Sequence, residues 1–111
     1  MKRNKQTESS KLREVAYYKN GKREGLCMFY YESGKIESEA FYKNGKRAGL
    51  CKGYYESGKL RNESNFKADK LEGISKGYYG SGKLESVFNY KNGKLDGISK
   101  TYYWCGGNRY D

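Results

Sequence analysis

The sequence predicts an all-β fold, an elongated single-layer antiparallel meander of about eight strands. Three observations predict it: a pattern recurring every 24 residues without insertion, two turn signals in every unit, and 111 residues with no proline and no helical periodicity. Self-similarity at a short fixed period marks an array in which each unit packs on its neighbours.

The units run 12–35, 36–59, 60–83 and 84–107, opening at Leu12, Ile36, Leu60 and Leu84. Residues 1–11 form a polar lead-in whose Ser9-Ser10-Lys11 matches the unit end Ser33-Gly34-Lys35, the mark of a degenerate repeat. Residues 108–111 read as a cap or tail. Just before them Trp104-Cys105-Gly106-Gly107 replaces the usual Glu-Ser-Gly-Lys, and the last residues are expected to add a short strand or a cap that blunts an open edge.

Within a unit, the first strand ends on an aromatic column, Tyr18, Tyr42, Phe66 and Tyr90. Asn-Gly follows at 20–21, 44–45 and 92–93, the residues of a type I′ hairpin turn, because both central positions need positive φ. The third unit writes Ala68-Asp69 there. Alanine resists positive φ, which predicts a different turn type and a locally wider loop. The second strand carries Gly25, Gly49, Gly73 or Gly97 and then a doubled tyrosine, at 30–31, 54–55, 78–79 or 102–103. Ser-Gly at 33–34, 57–58 and 81–82 turns the chain into the next unit.

Counting outward from a two-residue turn at Asn44-Gly45 opposes Lys43 to Lys46, Tyr42 to Arg47, Ala40 to Gly49 and Ser38 to Cys51. The Ser57-Gly58 turn opposes Tyr55 to Leu60 and Gly49 to Phe66. One face then holds Ile36, Ser38, Ala40, Tyr42, Gly49, Cys51, Gly53, Tyr55, Leu60, Ser64 and Phe66, with little charge. Tyr42, Phe66 and Tyr90 lie across Gly25, Gly49 and Gly73, so rings cover backbone that glycine leaves bare. These columns, with Tyr18 and Gly97, are expected to be structural. The other face is charged, with Lys52 between Glu37 and Glu63 as cross-strand pairs.

A net charge of +10 with 35% hydrophobic residues and thirteen tyrosines suits a thin, wet structure. No apolar stretch approaches the roughly 20 residues of a spanning helix, and residues 1–10 lack a secretory apolar run, so the chain as written reads as cytoplasmic. Removal of a leader would make it exported or surface-attached. Cys27 and Cys51 share a column two strands apart, roughly 9–10 Å, beyond disulfide reach, and are expected to be reduced. With no histidine and no pocket to perturb an acid, the sequence argues against an enzyme, and no metal, cofactor or small-molecule substrate is expected.

Two binding surfaces remain. The first is the aromatic, glycine-rich face, with Tyr31, Tyr55, Tyr79, Tyr103 and Trp104 as candidates for holding a protein partner. The second is a basic edge of Lys19, Lys22, Lys43, Lys46, Lys67, Lys70, Lys91 and Lys94, suited to an anionic membrane surface. Lys35, Lys59 and Lys83 make a smaller row on the opposite edge. Nucleic acid is disfavoured: lysine rows every 9–10 Å or so miss phosphate steps of roughly 7 Å.

The motif Tyr-Lys-Asn-Gly-Lys at 18–22, 42–46 and 90–94, the glycines after it, and the doubled tyrosine before Glu-Ser-Gly-Lys at 32–35 and 56–59 or Gly-Ser-Gly-Lys at 80–83 resemble one family. It is the MORN-type repeat variant of bacterial proteins, many of them antitoxin-like partners in toxin–antitoxin pairs. The resemblance covers residues 12–107. It implies an extended β-meander used for interaction, with proteins or membrane phospholipids as partners.

Overall fold

Where Asn-Gly occurs the chain turns as its chemistry requires. Asn20, Asn44 and Asn92 have φ of 53°, 51° and 52°, each followed by a glycine at positive φ. A computed structural model describes residues 10–104. It contains β1 (Glu14–Val15), β2 (Tyr18–Lys19), β3 (Lys22–Arg23), β4 (Gly25–Tyr30), β5 (Ile36–Lys43), β6 (Lys46–Arg47) and β7 (Gly49–Tyr54). These are followed by β8 (Leu60–Lys67), β9 (Lys70–Leu71), β10 (Gly73–Tyr78), β11 (Leu84–Lys91), β12 (Lys94–Leu95) and β13 (Lys100–Thr101). All pairings are antiparallel. The long strands follow one another across the sheet as β4, β5, β7, β8, β10 and β11.

The molecule measures 59 × 43 × 14 Å. Two stacked sheets would alone need about 10 Å between their mid-planes, so 14 Å holds one sheet and its side chains. Its radius of gyration is 17.5 Å, against roughly 13 Å for a compact domain of this length.

The sheet is the expected all-β antiparallel meander, with the second strand of each unit broken in two. Lys46–Arg47 continues the hairpin from Asn44-Gly45, opposing Tyr42 to Arg47 and Lys43 to Lys46 as expected. At Ala48 and Gly49 the strand then leaves the ladder, with Gly49 at φ +87°. It returns two residues out of step, so Ser38 faces Gly53, not Cys51, and Glu39 faces Lys52. Lys52 therefore stands between Glu39 and Glu63, not Glu37. A shift of two preserves which face each side chain takes, so this step changes partners without changing faces.

The rings do lie across the glycines, Tyr42 on Gly25, Phe66 on Gly49 and Tyr90 on Gly73. Their reason is different. A Cβ built at Gly25, Gly49 or Gly73 would meet nothing within 4 Å, but all three residues sit at φ between 82° and 87°. Gly97 shares this conformation, at 88°. The column is glycine because of the backbone conformation that breaks the strand.

The Ser-Gly turn is also longer by one residue. Gly58 N–H donates to Tyr55 O at 2.8 Å and Tyr55 N–H to Lys59 O at 2.8 Å, with Gly58 at φ 96°. This is a three-residue loop closed by a left-handed glycine, so Tyr54, not Tyr55, opposes Leu60. A one-residue shift reverses the face, so Leu60 opposite Tyr54 and Ile36 opposite Tyr30 leave the uncharged face where the turn count had put them.

Ala68-Asp69 forms no wider loop. It makes the same two-residue turn as its neighbours, with φ of 50° and 72° and Lys67 opposite Lys70. Tertiary bonds hold it: Asp69 N–H donates to Arg47 O at 2.9 Å, and Asp69 Oδ1 accepts from the Arg47 backbone N–H and Nε, both at 3.0 Å. Replacing Ala68 with glycine is expected to raise stability by about 1 kcal/mol, because the alanine holds a left-handed conformation. Urea unfolding of the A68G variant checks this.

Candidate functional site

Two surfaces repeat along the array, and each is built by bonds that tie one unit to the next. On the uncharged face, Cys27, Cys51 and Ser75 follow one another in a column, and Ala40, Ser64 and Phe88 in another. Cys27 is fully buried and both cysteines are free, as the register predicts; Cys105 lies outside the described residues. Burial pushes the Cys51 thiol above its ordinary pKa.

Small residues in the central units open a trough of about 520 Å³ on this face. Its small lining residues are Ser38, Gly53, Ser64, Ser75, Gly77 and Ser86, with Tyr42, Phe66 and Arg47 beside them and the charged Glu39, Lys52, Arg61 and Lys76 also bordering it. Large residues stand at both ends. Phe29 occupies the repeat position of Gly53 and Gly77, and Phe88 that of Ala40 and Ser64. The Ser75 hydroxyl is buried with no hydrogen-bond partner among the described residues.

The arginines beside the rings were not singled out by sequence. The Arg47 guanidinium lies 4.2 Å from the centroid of Phe66. Arg23 lies 5.6, 5.6 and 5.5 Å from the rings of Tyr18, Phe29 and Tyr42, and its Nη2 is 2.7 Å from Glu14. The column reads Arg23, Arg47, Leu71 and Leu95, so a charged role was hidden behind two leucines.

The doubled tyrosines do not line the trough. Tyr31 donates its hydroxyl to Tyr54 O at 2.6 Å, Tyr55 to Tyr78 O at 2.5 Å and Tyr79 to Tyr102 O at 2.7 Å, each bridging to the next unit. Trp104 packs edge-on against Tyr79, with centroids 5.2 Å apart at 79°, while Tyr103 is 85% exposed. On the opposite face, Tyr54 donates to Glu39 at 3.2 Å and Tyr78 to Glu63 at 2.8 Å. Burial, then the nearby Glu39, raises the Tyr54 pKa, whereas for Tyr78 the bond to Glu63 is the larger cause.

The basic edge is assembled as expected. Lys19 faces Lys22, Lys43 faces Lys46, Lys67 faces Lys70 and Lys91 faces Lys94, and all eight are exposed. Like charges directly opposite weaken a sheet. Backbone bonds hold the tips together: Gly45 N–H donates to Arg23 O and Gly93 N–H to Leu71 O, both at 2.9 Å.

Three stretches, residues 23–44, 47–68 and 71–92, match the model of the MORN repeat variant. No curated protein matches the chain. Repeats of that kind are generally non-enzymatic modules, often binding membranes or proteins. Each matched stretch begins at the second arm of one hairpin, at Arg23, Arg47 or Leu71, and ends at or next to the turn of the following one. Since these stretches cover more than half the chain and keep the 24-residue period of the sheet, the protein belongs to the MORN repeat variant family.

Proposed function

We propose that the chain is a non-catalytic scaffold that binds another protein, taking an extended polypeptide segment in the trough. The observation that carries this is the trough itself: a lining of small residues, bulky ends at Phe29 and Phe88, and aromatic rings with arginine beside them. Aromatic residues and arginine anchor interfaces, and a concave strip suits a chain better than a flat bilayer. The unpartnered Ser75 hydroxyl supports a polar contact from the bound segment. The resemblance to antitoxin-like proteins adds a bacterial toxin polypeptide as one candidate partner, met in the cytoplasm.

The test is a photo-crosslinking residue at position 86 in the trough or at position 50 on the opposite face. Capture of a discrete polypeptide from position 86 alone is expected. Adding Ser64→Phe should reduce that capture about tenfold or more while leaving the fold intact, since phenylalanine already occupies this repeat position at residue 88. Equal capture from both faces would end the reading.

A second reading has its own observation, the four facing lysine pairs. They would place a row of cations against an anionic membrane, each worth about 1 kcal/mol. Vesicle binding that falls steeply with salt and disappears when these lysines become glutamate supports this alternative; binding that survives both excludes it.

A further inference from the structure

The hairpin edge repeats one contact and omits it once. Glu24 Oε1 accepts the Asn44 N–H at 3.0 Å, and Glu72 Oε1 accepts the Asn92 N–H at 2.9 Å. In both, a carboxylate reaches twenty positions along the chain to the first turn residue of the next hairpin. The copy between them has no acid. Its position is Ala48, and the N–H it would bind belongs to Ala68. Nearby acids are committed elsewhere: Asp69 Oδ1 takes two bonds from Arg47, and Glu24 is held by Asn44.

Four lysines surround that position. Lys22, Lys43, Lys46 and Lys67, with Asn44, Ala48, Phe66 and Ala68, line a hollow of about 500 Å³. The equivalent hollow one repeat earlier, lined by Lys19, Asn20, Lys22, Glu24 and Asn44, measures about 290 Å³. The five residues of the smaller hollow correspond to Lys43, Asn44, Lys46, Ala48 and Ala68 of the larger, which adds Lys22, Phe66 and Lys67; within the five, Glu24 gives way to Ala48 and Asn44 to Ala68. The chain therefore shows, at two of its own hairpins, what chemistry fits the third. A carboxylate here would accept a charge-assisted bond from the Ala68 N–H in a hollow lined by four lysines, about twice as strong as a neutral bond.

We propose that the hollow between Ala48 and Ala68 is a carboxylate-binding site, filled by an aspartate or glutamate side chain of a bound polypeptide. This rests on the protein-binding reading only in naming a polypeptide as the carrier.

The test is backbone amide NMR of the whole chain titrated with a hexaglutamate peptide. A saturable downfield shift of the Ala68 amide is expected, with the Asn44 and Asn92 amides, already capped, unmoved, and with no response to hexaglutamine. Ala48→Glu restores the residue type found at positions 24 and 72. It is expected to move the Ala68 amide without peptide and to weaken peptide binding about tenfold or more. Unchanged affinity in A48E, or equal shifts at all three amides, would overturn the site. So would phosphatidylglycerol vesicles or inorganic phosphate shifting Ala68 at lower concentration than the peptide does. Loss of trough crosslinking with the Ala68 response intact removes the scaffold reading alone; the converse removes this site alone.

Discussion

Replacing Gly49 with valine is expected to lower stability by about 2–3 kcal/mol, read from urea unfolding, even though the added side chain would touch nothing. The space around a Cβ at Gly49 is open to 4 Å, so a steric account predicts tolerance. The backbone account does not, because φ is +87°. L-Alanine should cost about 1–2 kcal/mol. D-Alanine, which prefers positive φ, should be neutral or stabilise by up to about 1 kcal/mol through a less free unfolded chain. Cys51 lies close enough to residue 49 for that residue to be introduced by chemical ligation. Equal losses from L- and D-alanine would refute the conformational reading. The loss at Gly49 is central because the step it permits brings Ser38 opposite Gly53 and Glu39 opposite Lys52, the pairs that join the two long strands of the unit. The same change at Gly97, with only β13 beyond it among the described strands, should cost less.

That step also explains how far the sequence could be read. The hairpin pairings follow from local turn chemistry, and Tyr42 opposite Arg47 needs only the two positive φ values of Asn44-Gly45. The pairing of β5 with β7 beyond the hairpin depends on two extra residues at Ala48 and Gly49, and counting along an uninterrupted strand cannot see them. Because that error is even, the faces came out right along the middle of the strands, whereas the one-residue error at the Ser-Gly turn placed Ile36 and Leu60 on the wrong face. The turn at Ala68 was misread because propensity is local, whereas Asp69 is fixed by Arg47, 22 residues earlier. The hydroxyl bonds of Tyr31, Tyr55 and Tyr79 span 23 residues, so sequence could place the rings but not their use. The column Glu24, Ala48, Glu72 was visible throughout, yet a missing acid has meaning only once the other two are seen bound to Asn44 and Asn92.

Arg23→Ala is expected to be the second large loss, about 2–3 kcal/mol in urea unfolding, and its origin can be divided. The guanidinium lies within 5.6 Å of three ring centroids, and each such contact contributes about 0.5–1 kcal/mol when part of the group is still wet. The side chain is 27% exposed, and its ion pair with Glu14 at 2.7 Å adds at most about 1 kcal/mol. Alanine also leaves space beneath Tyr18, Phe29 and Tyr42. Leucine, which the array already holds at positions 71 and 95, should restore the packing but not the charge, and R23L should recover about half of the loss. Lysine keeps the charge but not the planar fork that lies against the rings, so R23K should resemble R23L rather than the parent. Raising salt to 1 M should remove the Glu14 share, since a part-exposed pair is screened, and leave the ring contacts in place. If R23L were no more stable than R23A, the arginine would act through charge alone, and the leucines of the later repeats would need a different explanation.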